Sequence, residues 1–254
     1  MTYKSEDSPL KPLKWYKNLA DRKERLEAGV FLAEGERAVR QIAYNNPDSI
    51  VEVLSTGEPP SFCSTYAYRH ITGEQLRSIT SASTPQGIIA VVRIPEGIYS
   101  AKLPDNPGSK ILFLEDIQDP GNVGSLIRTA VAFGFSGIIM SEKCADPLSP
   151  KTVQSTAGTI LSLWIKRTGD YMGLAESLKS SGYNLVATAL DGEENPLFLQ
   201  NADKLLLALG NEAVGLSADI LKLADFKLKI PIKDKAESLN VAACGAICMY
   251  LSRG

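Results

Sequence analysis

Three short stretches of this chain combine polar side chains with the backbone freedom that group-transfer sites need. The first, Leu114–Phe135 (LEDIQDPGNVGSLIRTAVAFGF), reads as the end of an apolar strand, a polar turn carrying Asp-Pro-Gly-Asn, and an amphipathic helix. Asn122 stands where that helix begins, and an asparagine there caps free backbone N–H groups with its side-chain oxygen. Capping does not account for Arg128, a cation set among Leu126, Ile127, Ala130 and Val131. Such an arginine either snorkels to water or, beside a ligand crevice, grips a phosphate in a bidentate fashion. In the second stretch, Leu207–Ser217 (LALGNEAVGLS), a buried strand ends in a turn bounded by Gly210 and Gly215, with Glu212 between them. Glycines at those points let backbone groups approach a ligand without side-chain obstruction; the plainer alternative is a strand-to-helix loop with Ser217 as the next helix cap. In the third, Ile230–Tyr250 (IPIKDKAESLNVAACGAICMY), a strand ends at Ile230-Pro231-Ile232 and Lys233–Glu237 forms a charged loop. Ser238-Leu239-Asn240 then opens a helix that is almost wholly apolar through Met249. A helix without a polar face must be buried on nearly all sides, within its own domain or against a second subunit.

These stretches need a scaffold that brings them together. Strands are expected at Lys110–Leu114, Gly137–Met140, Asn184–Ala187, Lys204–Leu209 and Phe226–Ile230, with helical patterns between nearly all of them. Alternation of this kind predicts an α/β domain with a mostly parallel sheet covered on both faces. Ligands of such sheets sit at the carboxyl ends of the strands, where all three stretches begin. Upstream, Pro95–Ser109 is rich in proline, glycine and small polar residues and reads as a linker. Before it, strands at Val30–Ala33, Ile50–Leu54 and Gly87–Arg93 and a helix at Glu34–Ala43 make a small α/β domain. The expected division is residues 1–94, a linker over 95–109, and a catalytic domain over 110–254.

Composition narrows the function classes. With 254 residues, 44% of them hydrophobic, the chain carries enough apolar mass for a large core. The formal charge of −2 argues against a surface that embraces nucleic acid everywhere. A local patch is still available at Lys11–Arg25, where Lys11, Lys14, Lys17, Arg22, Lys23 and Arg25 interleave with Trp15 and Tyr16 against only Asp21 and Glu24. Basic and aromatic residues together suit phosphate contact plus base stacking, while the alternative is a solvated helix face. Of the four cysteines only Cys244 and Cys248 are close, one helical turn apart on an apolar face, and the single histidine, His70, lies outside all three stretches. No metal site is expected from that spacing. No G-x-G-x-x-G follows a strand, and Gly210–Ser217 has the frame of a P-loop with Leu216 where the phosphate-binding lysine belongs, which excludes dinucleotide and P-loop chemistry. No apolar run approaches the roughly 20 residues that cross a bilayer, and the N-terminus has no signal-type apolar block, so a cytoplasmic protein is expected.

Taken jointly, Pro120-Gly121-Asn122-x-Gly124 with Arg128, Gly210-x-Glu212-x-x-Gly215-Leu216-Ser217 and Ile230-Pro231-x6-Ser238-Leu239-Asn240 resemble the three motifs of the SpoU/TrmH family of RNA ribose 2′-O-methyltransferases, in the same order and at similar spacing. The resemblance is strong from Lys110 to about Leu251. It is looser over Lys11–Arg93, through Gly29–Val39 (GVFLAEGERAV), which is similar to the family's N-terminal substrate-binding domain of ribosomal-protein type. It implies a SPOUT fold with a C-terminal trefoil knot, a homodimer, S-adenosylmethionine as methyl donor and RNA as substrate. Transferred position by position, Leu209, Gly210, Ile230 and Leu239, with the strand end Thr188, Ala189 and Leu190, line the donor pocket. Asn122, Arg128, Glu212, Ser238 and Asn240 form the catalytic and RNA-facing set, and Lys11, Lys14, Lys17, Arg22, Lys23, Arg25 and Arg37 contact RNA. The family's usual proposal makes the motif arginine the base. An arginine whose unperturbed pKa lies above about 12 rarely gives up its proton, so Arg128 is expected chiefly to orient the hydroxyl and a neighbouring phosphate. One departure is plain: the family often has Arg-x-Ser-x-Gly where this chain has Gln154-Ser155-Thr156-Ala157-Gly158, which loosens phosphate holding there. The implied reaction is methyl transfer to a ribose 2′-hydroxyl, with ribosomal RNA ahead of transfer RNA as substrate. A non-catalytic RNA-binding or assembly protein is the reading from a different class.

Overall fold

The computed structural model of the chain describes residues 11–80, 84–233 and 238–253. It divides into two compact units, one formed by Met1–Glu96 with Asp146–Ser162, the other by Gly97–Ala145 with Leu163–Gly254. The insertion Asp146–Ser162, placed by sequence pattern in the catalytic domain, thus packs with the first unit. Gly158 shows why it does so closely: its φ is +91°, and a Cβ there would lie 2.6 Å from the Ala38 carbonyl oxygen, so only glycine lets this turn sit on the helix Glu36–Asn45.

The first unit carries β1 (Val30–Glu34), β2 (Ile50–Ser55), β3 (Ala67–His70) and β4 (Ile88–Arg93) in the order β1-β4-β2-β3. The pairs β1–β4 and β4–β2 are antiparallel and β2–β3 is parallel. Strand β3 escapes sequence reading because it is a four-residue edge strand, largely exposed, with no apolar alternation. Tyr16 is fully buried in this unit's core, and its hydroxyl donates to the Glu52 carboxylate at 2.8 Å. Burial, together with that carboxylate, pushes the phenol pKa well above its ordinary value.

The second unit is built on six strands: β5 (Lys110–Leu114), β6 (Gly137–Ser141), β7 (Trp164–Thr168), β8 (Asn184–Glu193), β9 (Leu205–Leu209) and β10 (Phe226–Leu228). Their order is β10-β8-β9-β5-β6-β7, and every pairing is parallel. The chain runs outward from β5 through β6 to β7, then crosses to the other side, so β5 and β9 are neighbours at the point where the winding direction reverses. That switch point is where α/β sheets place ligands. Strands β5 and β9 are buried on both faces, as an apolar run without alternation requires. Strand β7 was not expected from the sequence. Its charged Lys166 and Arg167 mask it at the sheet edge, where the Lys166 ammonium donates to the Gly97 carbonyl at 2.8 Å. The stretch from Gly97 to Ser109 is tied to the same unit by Trp164 Nε1 donating to the Pro107 carbonyl at 2.9 Å and by the Tyr183 hydroxyl donating to the Gly108 carbonyl.

Candidate active site

The three motif stretches leave the sheet side by side. Strand β5 leads into the helix Pro120–Ala132, whose N-cap Asp119 accepts from the Asn122 N–H at 2.9 Å. Asn122 is therefore not itself the cap, and its amide is left for other work. Its Nδ2 donates to Glu212 Oε1 at 2.7 Å, and its Oδ1 accepts from Asn240 Nδ2 at 3.0 Å. Asn240 caps the last helix, Val241–Leu251, through its Oδ1, which accepts from the N–H groups of Ala242 and Ala243 at 2.9 and 3.3 Å. Both amide orientations are forced from the ends of this chain. The helix N–H groups can only donate and the carboxylate can only accept, so each amide must point its oxygen toward the last helix and its nitrogen toward Glu212. One residue from each motif is thus joined in a polarised series that runs from a helix N-terminus to a carboxylate.

Beside this series lies a cleft of about 400 Å³. Leu190, Leu216, Leu221, Leu228, Ile230 and Val241 give it apolar walls, and Thr188, Asp191, Glu212 and Ser238 supply polar groups. Among the residues assigned to a donor pocket, Thr188, Ala189, Leu190, Gly210, Ile230 and Leu239 line the cleft; Leu209 is fully buried in β9 behind it. Gly210 carries a steric demand of its own, because a Cβ there would come within 2.3 Å of both the Gly215 carbonyl carbon and the Leu216 nitrogen. The turn it opens closes on itself, with Asn211 and Gly215 exchanging N–H···O bonds of 3.1 and 2.9 Å and Gly215 at φ +73°.

Arg128 is exposed on its helix and makes no hydrogen bond or ion pair among the described residues. It is not joined to the Asn122, Glu212 and Asn240 series. The charged loop expected at Lys233–Glu237 falls, from Asp234 to Glu237, outside the described residues. Within one chain the last helix is covered on one side and open on the other. Cys248 and Met249 are fully enclosed, and Gly245 packs so tightly that a Cβ would meet Leu126 Cδ2 at 2.4 Å, yet Ile247 and Tyr250 remain 38% and 55% exposed.

In the first unit, Lys14, Lys17, Arg22, Lys23 and Arg37 are exposed and Lys11 half-buried, with its ammonium 5.8 Å from the centre of the Trp15 ring. Arg25 is a correction. It is 2% exposed, its guanidinium donates to the carbonyls of Leu19 and Ala20 at 2.9 and 2.7 Å, and it pairs with Asp146. An arginine so enclosed holds the fold and cannot meet RNA. Tyr16, buried, is likewise unavailable for base stacking. Gln154, where the family often has arginine, is exposed on the helix Pro150–Thr156, while Thr156 is buried with its hydroxyl donating to the Val153 carbonyl at 2.6 Å.

Residues 109–250 match the model of the SpoU rRNA methylase family, and residues 11–90 match that of an MRM3-like substrate-binding domain. This chain belongs to the SpoU rRNA methylase family. The 23S rRNA (guanosine(2553)-2′-O)-methyltransferase RlmP of Bacillus subtilis is 33% identical to it over 98% of each chain. The 23S rRNA (uridine(2479)-2′-O)-methyltransferase of Streptomyces viridochromogenes is 28% identical, covering 93% of this chain and 86% of its own length. Among solved structures, the SpoU methyltransferase AviRb from Streptomyces viridochromogenes in complex with AdoMet superposes with a TM-score of 0.80 at 26% identity, covering 94% of this chain and 96% of that one.

Three residues were not expected from the sequence: Glu115 and Asp116, inside the first motif stretch without a motif role, and Tyr171, outside all three stretches. Glu115, 4% exposed at the end of β5, accepts from the Ser217 N–H at 2.7 Å and from the Tyr171 hydroxyl at 3.0 Å. Asp116 follows in the left-handed region at φ +58°, where its carbonyl accepts from Asn211 Nδ2 at 2.9 Å. Burial, with Glu115 beside it, pushes the Tyr171 phenol up to about 12. The signal available in sequence was the pair of acids at the end of an apolar strand, a place where carboxylates are costly unless bonded.

Proposed function

We propose that this protein transfers the methyl group of S-adenosylmethionine to a ribose 2′-hydroxyl of ribosomal RNA. The observation that carries the reading is the convergence of Asn122, Glu212 and Asn240, one from each motif, at the rim of the cleft on the switch point of the sheet. The cleft's chemistry suits the donor. Its apolar walls match a flat adenine and ribose, its backbone-rich floor at Gly210 offers main-chain polar groups, and its size falls among ordinary small-molecule sites. When bound, the donor supplies an electrophilic methyl on a sulfonium.

The chain's own residues then have to hold and orient. Glu212, fixed by Asn122, and Asn240, fixed by its helix, present oriented acceptor and donor groups to the incoming ribose. Arg128, without an internal partner among the described residues, is available to take an RNA phosphate in its planar fork. Its guanidinium orients the nucleotide; as the 2′-oxygen bonds the methyl, the carbon–sulfur bond breaks to leave the neutral thioether S-adenosylhomocysteine, and the hydroxyl proton passes to water late in the transfer. Acceleration comes mainly from alignment and exclusion of water.

The finer architecture belongs to the same proposal. The strand end Ile230–Ile232 and the buried side of the last helix form part of a trefoil knot that closes the donor site. The first unit is the substrate-binding domain, meeting RNA through Lys11, Lys14, Lys17, Arg22, Lys23 and Arg37. Ile247 and Tyr250, with Phe133 packed edge-on to Tyr250 at 6.1 Å, form an apolar strip across the last helix and the first-motif helix, which supports a two-fold homodimer there. The protein works in the cytoplasm without a metal. Calorimetric titration with S-adenosylmethionine, run beside a Gly210→Arg variant, tests the reading. Saturable binding that the variant loses is expected; a folded wild-type protein that takes up no donor at millimolar concentration, with or without ribosomal RNA, refutes it.

A further inference from the structure

The loop Gly210–Ser217 forms one wall of the cleft, and two adjacent residues at the end of β5 secure both of its ends. At the entrance, the Asp116 carbonyl accepts from Asn211 Nδ2 at 2.9 Å, while Asn211 Oδ1 accepts from the N–H groups of Ala213 and Val214 at 2.9 and 3.2 Å. At the exit, Glu115 Oε2 accepts from the Ser217 N–H at 2.7 Å. The carbonyl of Asp116 can turn toward Asn211 because the residue is left-handed at φ +58°, a conformation with a steric cost for any residue bearing a Cβ. That conformation has its own support. The Asp116 N–H donates to Ser141 Oγ at 2.9 Å, Ser141 Oγ donates to Asp116 Oδ1 at 2.6 Å, and Lys143 stands 3.3 Å from Asp116 Oδ2. Glu115 is oriented in turn by the Tyr171 hydroxyl, 3.0 Å from its other oxygen. A nearly enclosed carboxylate, a strained residue beside it and a serine and tyrosine to hold them are more than a strand end needs to stop.

We propose that Glu115 and Asp116 are positioning residues for the methyl donor: together they hold the loop Gly210–Ser217 in the shape that receives it. This rests on the reading of the cleft as the donor site. The mechanism is preorganisation. With Gly215 and Leu216 within 2.3 Å of where a Gly210 Cβ would stand, the wall has no slack, and a loop released at Ser217 must be re-ordered each time the donor binds. Glutamine at 115 can accept from the Ser217 N–H and donate to the Tyr171 oxygen, so it preserves both contacts; alanine preserves neither.

The test uses the full chain and S-adenosylmethionine as probe, comparing wild type with Glu115→Ala, Glu115→Gln and Tyr171→Phe. Donor affinity is read by calorimetry, amide hydrogen exchange across residues 210–217 by mass spectrometry, and 23S ribosomal RNA affinity by filter retention. Loss of a hydrogen bond to a charged acceptor predicts donor binding weakened by about 10- to 100-fold in Glu115→Ala. Faster exchange confined to 210–217, unchanged RNA affinity and rescue to within about threefold by Glu115→Gln complete the expected pattern. Tyr171→Phe, which leaves the carboxylate in place but unsteered, gives an intermediate loss and decides the matter if Glu115→Ala does not fold. Wild-type donor affinity in Glu115→Ala, or in Tyr171→Phe should the alanine variant be unfolded, overturns the proposal alone. Failure of wild type itself to bind donor overturns the reading of the cleft and this proposal with it.

Discussion

Replacing Asn122 by aspartate changes one nitrogen to oxygen and breaks the series that joins the three motifs at Glu212, while the bond accepted from Asn240 can persist. The 2.7 Å contact between Asn122 Nδ2 and Glu212 Oε1 becomes an approach of two carboxylates. The lost hydrogen bond to a charged acceptor is worth about 1.5–3 kcal/mol. Two like charges at that separation repel by about 1.5 kcal/mol in the dielectric of water, but both side chains can swing outward, so most of the repulsion is relieved by misalignment. The net loss of alignment is about 2–3 kcal/mol, which corresponds to a fall in kcat/KM on the order of 30- to 150-fold. Fold stability should fall by less than this, because both exposed side chains can swing into water and a carboxylate in the first turn of the helix Pro120–Ala132 gains about 0.3–1 kcal/mol from the helix dipole. The assay is methyl incorporation from labelled S-adenosylmethionine into ribosomal RNA, with the melting temperature measured on the same preparations. An Asn122→Asp enzyme that keeps more than about half of wild-type kcat/KM would show that the amide bridge plays no part in alignment.

Two further variants separate roles that the sequence presents alike. Arg25→Ala removes the enclosed guanidinium that pairs with Asp146 and should cost about 3–5 kcal/mol, seen as a lower melting temperature of the first unit. Lys14→Ala with Lys17→Ala should leave melting unchanged and reduce the slope of log affinity for RNA against log salt by up to about two; equal effects from the two sets would defeat the distinction. Ile247→Asp places a charge on the exposed apolar strip of the last helix and should convert the proposed dimer to monomer in light scattering at micromolar concentration, with little change in monomer folding. A dimer that survives the substitution would move the interface elsewhere.

Much of the second unit follows from local pattern. Runs such as Lys110–Leu114 and Leu205–Leu209 have no polar alternation, so they can only be interior strands of a parallel sheet, and the motifs at their ends mark the ligand edge. The identities and spacings of Asn122, Glu212 and Asn240 were legible because each motif is continuous in the chain. Their hydrogen bonds were not, because residues 90 and 118 positions apart meet only once β5 and β9 are neighbours. Tertiary structure also sorted Arg25 from Lys14 and Lys17. All three are cations among aromatics in one basic stretch, and burial beneath Asp146, 121 positions away, makes one of them part of the core. The same holds for the last helix, whose composition demands burial without saying by what. Packing against Leu126 and Leu209 at Gly245 covers one side, and Ile247 and Tyr250 stay open on the other. Sequence alone determined the periodicities, the strand ends and the chemistry carried at them. Which polar groups meet, and which charges are enclosed, depends on contacts between distant segments, and only the folded chain decides those.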